Sequence, residues 1–155
     1  MNSLWLLLAF CAGIAISAQA AINAQLASAI GGNAVVAALV SFCVGLPLLM
    51  IAAASRGGLI GTLSMLPAQP LWSFTGGILG AGFLFSTAFL ASRIGLTNML
   101  VLIIAGQLLM SVSIDHFGWF NAYARAASPA RLIGVCVVLV GTLLTLFGDR
   151  LSIFK

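Results

Sequence analysis

Runs of about twenty consecutive apolar residues, repeated along the chain, constrain this sequence more than any other feature, because each helical crossing of a bilayer core requires roughly that length. Five segments qualify: residues 4–26, 34–54, 71–92, 97–114 and 132–148. A water-soluble alternative fails on composition. The 155 residues are 63% hydrophobic and only 5% charged, whereas a soluble domain carries roughly a quarter charged residues. Six basic and two acidic side chains are too few to coat a globule of this size. Soluble enzymes, nucleic-acid-binding domains and disordered regulators are therefore disfavoured. A β-barrel is disfavoured as well, since its strands alternate apolar and polar residues and these runs do not. The expectation is an all-α integral membrane protein with five transmembrane helices, forming one transmembrane domain over residues 1–155 with the lipid bilayer as its first partner.

The formal net charge is +4, but the cations stand singly at Arg56, Arg93, Arg125, Arg131, Arg150 and Lys155. With no basic patch to track phosphates, no nucleic-acid partner is expected. Cys11, Cys43 and Cys136 each lie inside an apolar run and read as buried small hydrophobes, not as a disulfide framework. One histidine and two acids make no metal site, and no cofactor is expected. Asp115 and His116 are neighbours, so on a helix they point about 100° apart and form no acid–base pair with each other. Catalysis therefore has no candidate residues, and an enzyme is not expected. Near the N-terminus Ala18-Gln19-Ala20 resembles a leader cleavage site, but no basic residue precedes Leu4 and the apolar run is nearly a full span. It reads as the first membrane helix.

The connections are short. Gly31-Gly32-Asn33 breaks the first pair of spans, and Arg56-Gly57-Gly58 closes the second. Residues 58–70, with Pro67 and Pro70, read as a segment lying along the interface ahead of Trp72, which fits the aromatic belt at that depth. Residues 116–130, with Trp119, Tyr123, Arg125 and Pro129, read as a second interfacial loop. Five crossings put the chain ends on opposite sides. Arg56, Arg125 and Arg131 then fall on one side of the membrane, and Arg93, Arg150 and Lys155 on the other. Because the excess of Lys and Arg on one side sets orientation, a three-to-three balance predicts dual topology. The competing reading is that the amino terminus, or a boundary residue such as Arg93, breaks the tie.

Polar groups inside the spans are costly in hydrocarbon and mark candidate sites. Gln19 and Asn23 are four apart and share a helix face, while Gln107, Ser111 and Asp115 repeat by four to make one polar stripe with Gln107 at mid-span. With Ser41 and the belt residue Trp72, the candidate substrate-binding residues are Gln19, Asn23, Ser41, Trp72, Gln107 and Ser111. Asp115 and His116 are the candidates for proton coupling. The alternative for these amides and hydroxyls is interhelical hydrogen bonding. Gly76 and Gly80 form a small-xxx-small pair, and Gly134, Gly141 and Gly148 recur every seven residues along one stripe; both read as helix-packing or dimer seams. These features leave open a transporter, a channel or a non-transporting assembly subunit.

Several segments together resemble the YdcZ-like family of the drug/metabolite transporter superfamily: Gln19 to Leu26, Ala37 to Phe42 ending in Gly45, Gly76-Gly77 with Gly80, and Gly106-Gln107-Leu108 followed by Asp115-His116-Phe117-Gly118. Residues 132–143 also resemble the closing helix of larger transporters of the superfamily. The resemblance implies a bacterial inner-membrane half-transporter. Larger relatives hold two five-helix repeats of opposite orientation with the substrate path between them, so a five-helix chain would pair with a second, inverted copy of itself and move a small organic substrate by alternating access. Small multidrug-resistance relatives carry a glutamate in the first helix; here that helix has no acid. A neutral or amphipathic substrate, or coupling through Asp115, is the corresponding expectation.

Overall fold

The computed structural model describes residues 3–121 and 123–150, so Lys155, one of the six cations in the charge balance, lies outside the described residues. Six α-helices follow one another: α1 (Ser3–Ala29), α2 (Ala34–Ser55), α3 (Leu59–Leu63), α4 (Thr75–Ile94), α5 (Leu96–Phe117) and α6 (Pro129–Phe147). Among the described residues there is no strand. Five segments are long and apolar enough to cross a membrane, namely Ser3–Ala29, Ala34–Ser55, Leu71–Ile94, Leu96–Phe117 and Pro129–Arg150. Hydropathy locates them well for a physical reason: without water to bond, each crossing must close its backbone hydrogen bonds within one continuous helix.

Short polar punctuation sets the ends. Asn33 caps α2, its Oδ1 accepting from the Val36 amide at 3.1 Å, and Ser128 caps α6, its Oγ accepting from the Arg131 amide at 3.3 Å. Pro129 occupies the first turn of α6, where its missing N–H costs nothing. Gly118 closes α5 in the left-handed conformation at φ 66°, its amide bonded to the Ile114 carbonyl at 2.8 Å. The segment between α2 and α4 consists of α3, a 3-10 turn at Leu66–Ala68 and a second at Leu71–Phe74 that feeds α4. Pro47 stands inside α2 without ending it; a membrane helix tolerates the lost bond where a soluble helix would break.

The chain divides into two compact units, residues 1–93 and 94–155. In the first, α1 packs on α2, and a cluster of Ala27, Ala34, Ala37 and Ala88 brings α4 against both. Ala20, Asn23 and Ala27 on α1, and Ala34, Ala37 and Ala38 on α2, are buried at helical spacing. This alanine seam lets the backbones approach closely, which is how helices associate in lipid. In the second unit α5 packs on α6. The buried Thr142 hydroxyl ties them, lying 3.4 Å from the Val101 carbonyl across the interface and 2.9 Å from that of Val138 on its own helix.

One expectation about packing changes here. The three cysteines are free thiols exposed on α1, α2 and α6, not buried. In a membrane protein apolar character does not imply burial, because the lipid-facing surface is as apolar as the interior. Space remains at most of the glycines of the two candidate seams. A Cβ added at Gly80 would meet the Phe42 ring at 3.8 Å, but one at Gly76, Gly134, Gly141 or Gly148 meets no atom within 4 Å. Gly134 and Gly141 border the spaces between α5 and α6. If the stripe is the subunit seam of a dimer, Gly141→Leu should weaken self-association at least tenfold, a loss of about 1.4 kcal/mol, without lowering the melting temperature. Analytical ultracentrifugation in detergent beside a thermal melt checks this. A dimer that persists with a loosened fold would make the seam internal.

Candidate functional site

The first unit holds a buried polar pair. Asn23 lies two turns before the end of α1 and is only 3% exposed. Its Oδ1 accepts a hydrogen bond from Ser41 Oγ on α2. The alanine seam positions both, since Asn23 follows Ala20 and precedes Ala27 on the α1 face turned to α2, and Ser41 lies one turn beyond Ala37. Asn23 Nδ2 is buried with no hydrogen-bond partner among the described residues. An amide donor left unmade in a dry interior costs about 1–3 kcal/mol, so this group is poised for an acceptor. Gln19, one turn away, is exposed where Asn23 is buried, and Trp72 is exposed in the 3-10 turn leading to α4. The shared face of Gln19 and Asn23 thus crosses from the surface of α1 into its contact with α2.

The second unit holds a groove of about 320 Å³ along the contact of α5 and α6. Leu108 and Val112 line it from α5 and Val135 and Val138 from α6, with Gly134 leaving one wall open. At its polar end Asp115 Oδ2 and Arg131 Nη1 form an ion pair at 3.3 Å, with side chains 41% and 47% exposed. Ser111 lines the groove one turn deeper than Asp115. Gln107, a further turn along, is exposed at the middle of α5 and outside the groove. Two members of the stripe, Ser111 and Asp115, line the groove, and the third, the mid-span amide of Gln107, is exposed beyond it.

His116 turns from Asp115, as adjacency on a helix requires. Its Nδ1 accepts from the Ala127 amide at 3.4 Å, and its ring meets Phe117 edge-on at 4.9 Å, while Phe117 stacks on Trp119 at 5.3 Å. The Asp115 backbone also holds the connection, its carbonyl accepting from the Arg125 amide at 2.7 Å. Asp115 and His116 thus pin the loop that delivers Arg131. Sequence reasoning placed Arg131 only among the orientation charges. The signal for its role was present: Asp115 stands in the last turn of one helix and Arg131 in the first turn of the next, so a short connection between packed neighbours brings them together.

Among the described residues no three His, Cys, Asp or Glu side chains gather to hold a metal ion. Among the described residues, five apolar helices of membrane-crossing length define a polytopic membrane protein. A family model described as "Putative inner membrane exporter, YdcZ" matches residues 4–144, and the chain belongs to that family. Membership places it in the inner membrane and points to a transporter, not an enzyme. No curated protein and no solved structure matches the chain.

Proposed function

We propose that this protein exports small organic molecules by alternating access as an antiparallel, dual-topology homodimer, each chain supplying five of ten crossing helices. The observation that carries the reading is Gln107, an amide exposed on the chain at the middle of an apolar helix. An unpartnered amide facing lipid costs several kcal/mol, which a water-lined path or a second copy of the chain would offset. Balanced flanking charges favour a second copy of opposite orientation, and inverted repeats about a midplane site are a general device for alternating access. In this reading Gln19, Asn23, Ser41, Trp72, Gln107 and Ser111 line the substrate path. Depth supports the arrangement: Asp115 lies eight residues from Gln107, about 12 Å at 1.5 Å per residue, and Asn23 lies at a comparable distance from the centre of its own helix toward the other face. Inversion brings Asn23 of the partner subunit level with Asp115. A channel of the same architecture would need an unbroken polar stripe, whereas here Leu108 and Val112 from α5 and Val135 and Val138 from α6 line the groove beside Ser111 and Asp115.

Proton coupling falls to Asp115 within this reading, with Arg131 on α6 and the neighbouring His116 as the charged and titratable groups nearest to it. Replacing Asp115 by Asn keeps the shape and a hydrogen-bonding oxygen but removes the ionisable group. The half-exposed ion pair contributes at most about 1 kcal/mol to folding, so the variant folds. If the Asp115 carboxylate carries the proton, the pH dependence of transport should flatten in this variant. Saturable uptake into proteoliposomes at several pH values tests both statements. Steady, unsaturable ion flux would favour the channel, and an unchanged pH profile in the variant would remove Asp115 from the coupling role.

A further inference from the structure

The Asp115–Arg131 pair stands where helix electrostatics does not favour it. Asp115 is in the last turn of α5 and Arg131 in the first turn of α6. The macrodipole disfavours an acid at a helix C-terminus and a base at an N-terminus. Helix stability therefore does not account for the two charges. Nor does the pair satisfy them. A single contact joins Nη1 to Oδ2, and among the described residues the other guanidinium nitrogens and Asp115 Oδ1 have no partner. Ser111 Oγ is in the same condition, with no hydrogen bond among the described residues, while Ser113 on the same helix bonds back to the Leu109 carbonyl at 2.9 Å. One cation, one anion and one hydroxyl thus offer spare hydrogen-bonding capacity at the mouth of an apolar groove.

The groove has the shape of an amphiphile. From Asp115 to Leu108, and equally from Arg131 to Val138, the walls run seven residues, about 10 Å along each helix, and apart from Ser111 the side chains below the ion pair are aliphatic. Gly134 removes a side chain from one wall, and a Cβ there would meet nothing. The charged end lies two residues from the end of α5 and two from the start of α6, beside the exposed aromatic residues Phe117 and Trp119, which is the level of lipid headgroups. A ligand that fills the site carries an anionic group for the Arg131 fork, an ammonium for Asp115, an acceptor for Ser111 and one apolar tail.

Resting on the exporter reading above, we infer that the substrate is a single-chain zwitterionic amphiphile that enters the α5–α6 groove from the bilayer leaflet. Arg131 and Ser111 select its anionic end and Asp115 its ammonium. The test is a binding titration of the full chain in nonionic detergent with lysophosphatidylethanolamine, compared with lysophosphatidylglycerol, which lacks the ammonium, and with an alkyltrimethylammonium, which lacks the phosphate. The expected preference for the zwitterion is at least tenfold over each, with Arg131→Gln and Asp115→Asn each abolishing it. Gly134→Leu should reduce affinity for all three tails. Equal affinity for the three headgroups, or a preference that survives in the Arg131 and Asp115 variants, overturns the inference even if the protein exports another solute. A reconstituted-vesicle assay then separates the two statements. Selective binding without movement of the zwitterion, while another solute moves saturably, overturns its assignment as substrate. Absence of saturable movement for every solute overturns the exporter reading.

Discussion

Replacing Gln107 with Leu is expected to reduce transport by roughly ten- to a hundredfold, the equivalent of the 1–3 kcal/mol lost when a buried polar partner is removed. The same change leaves the assembled protein intact or slightly more stable. The two outcomes separate because Gln107 is exposed in the chain and has no part in the alanine seam, the α5–α6 groove or the Thr142 tie. Leucine is close in size and suits a helix in lipid, so nothing in the packing resists it. A Gln107→Asn variant, which retains the amide on a shorter side chain, should recover part of the rate. Saturation kinetics in proteoliposomes alongside a thermal melt distinguish this from a folding defect. Wild-type kinetics in the leucine variant would remove Gln107 from the path.

The second large effect concerns orientation. Adding two lysines after Lys155 changes the flanking count from three against three to three against five and is expected to drive nearly all chains into one topology. If the functional unit is an inverted pair, export then falls more than about tenfold although the protein is still made and inserted, since the bias acts on the side of insertion and not on the fold. Co-expression with a copy biased the other way restores it. Thr62→Lys with Ser64→Lys serves for that copy, because both residues are exposed on the segment after Arg56. Each biased form alone should be inactive and the mixture active. Full activity of one biased form by itself would mean that parallel pairs, or single chains, suffice.

What the sequence disclosed follows from which physical constraint was strict. Crossings were legible because the bilayer demands continuous helices of fixed length. The faces were not legible. α1 and α2 are apolar all round, so periodicity cannot say which stripe is inside. The glycines of α6 attract attention as a seam, yet the small residues buried in the chain are alanines, which composition alone does not distinguish from lipid-facing ones. Asn23 and Ser41 were recognisable individually as costly polar residues, but their mutual bond depends on the register set by the Gly31-Gly32-Asn33 turn, where both glycines take positive φ. Arg131 was hidden by its other role, because in a membrane sequence every arginine near a span first reads as an orientation signal.

The inverted pair is tested most directly by labelling the unmodified topology. In a background with Cys11, Cys43 and Cys136 replaced by Ala, a single Ser64→Cys, exposed on the connection between α2 and α4, is treated in intact spheroplasts with a membrane-impermeant maleimide and again after permeabilisation. The account predicts that about half of the molecules react before permeabilisation and the rest only after it, as a chain with balanced flanking charges requires. Labelling that is complete before permeabilisation, or absent until it, would contradict the account.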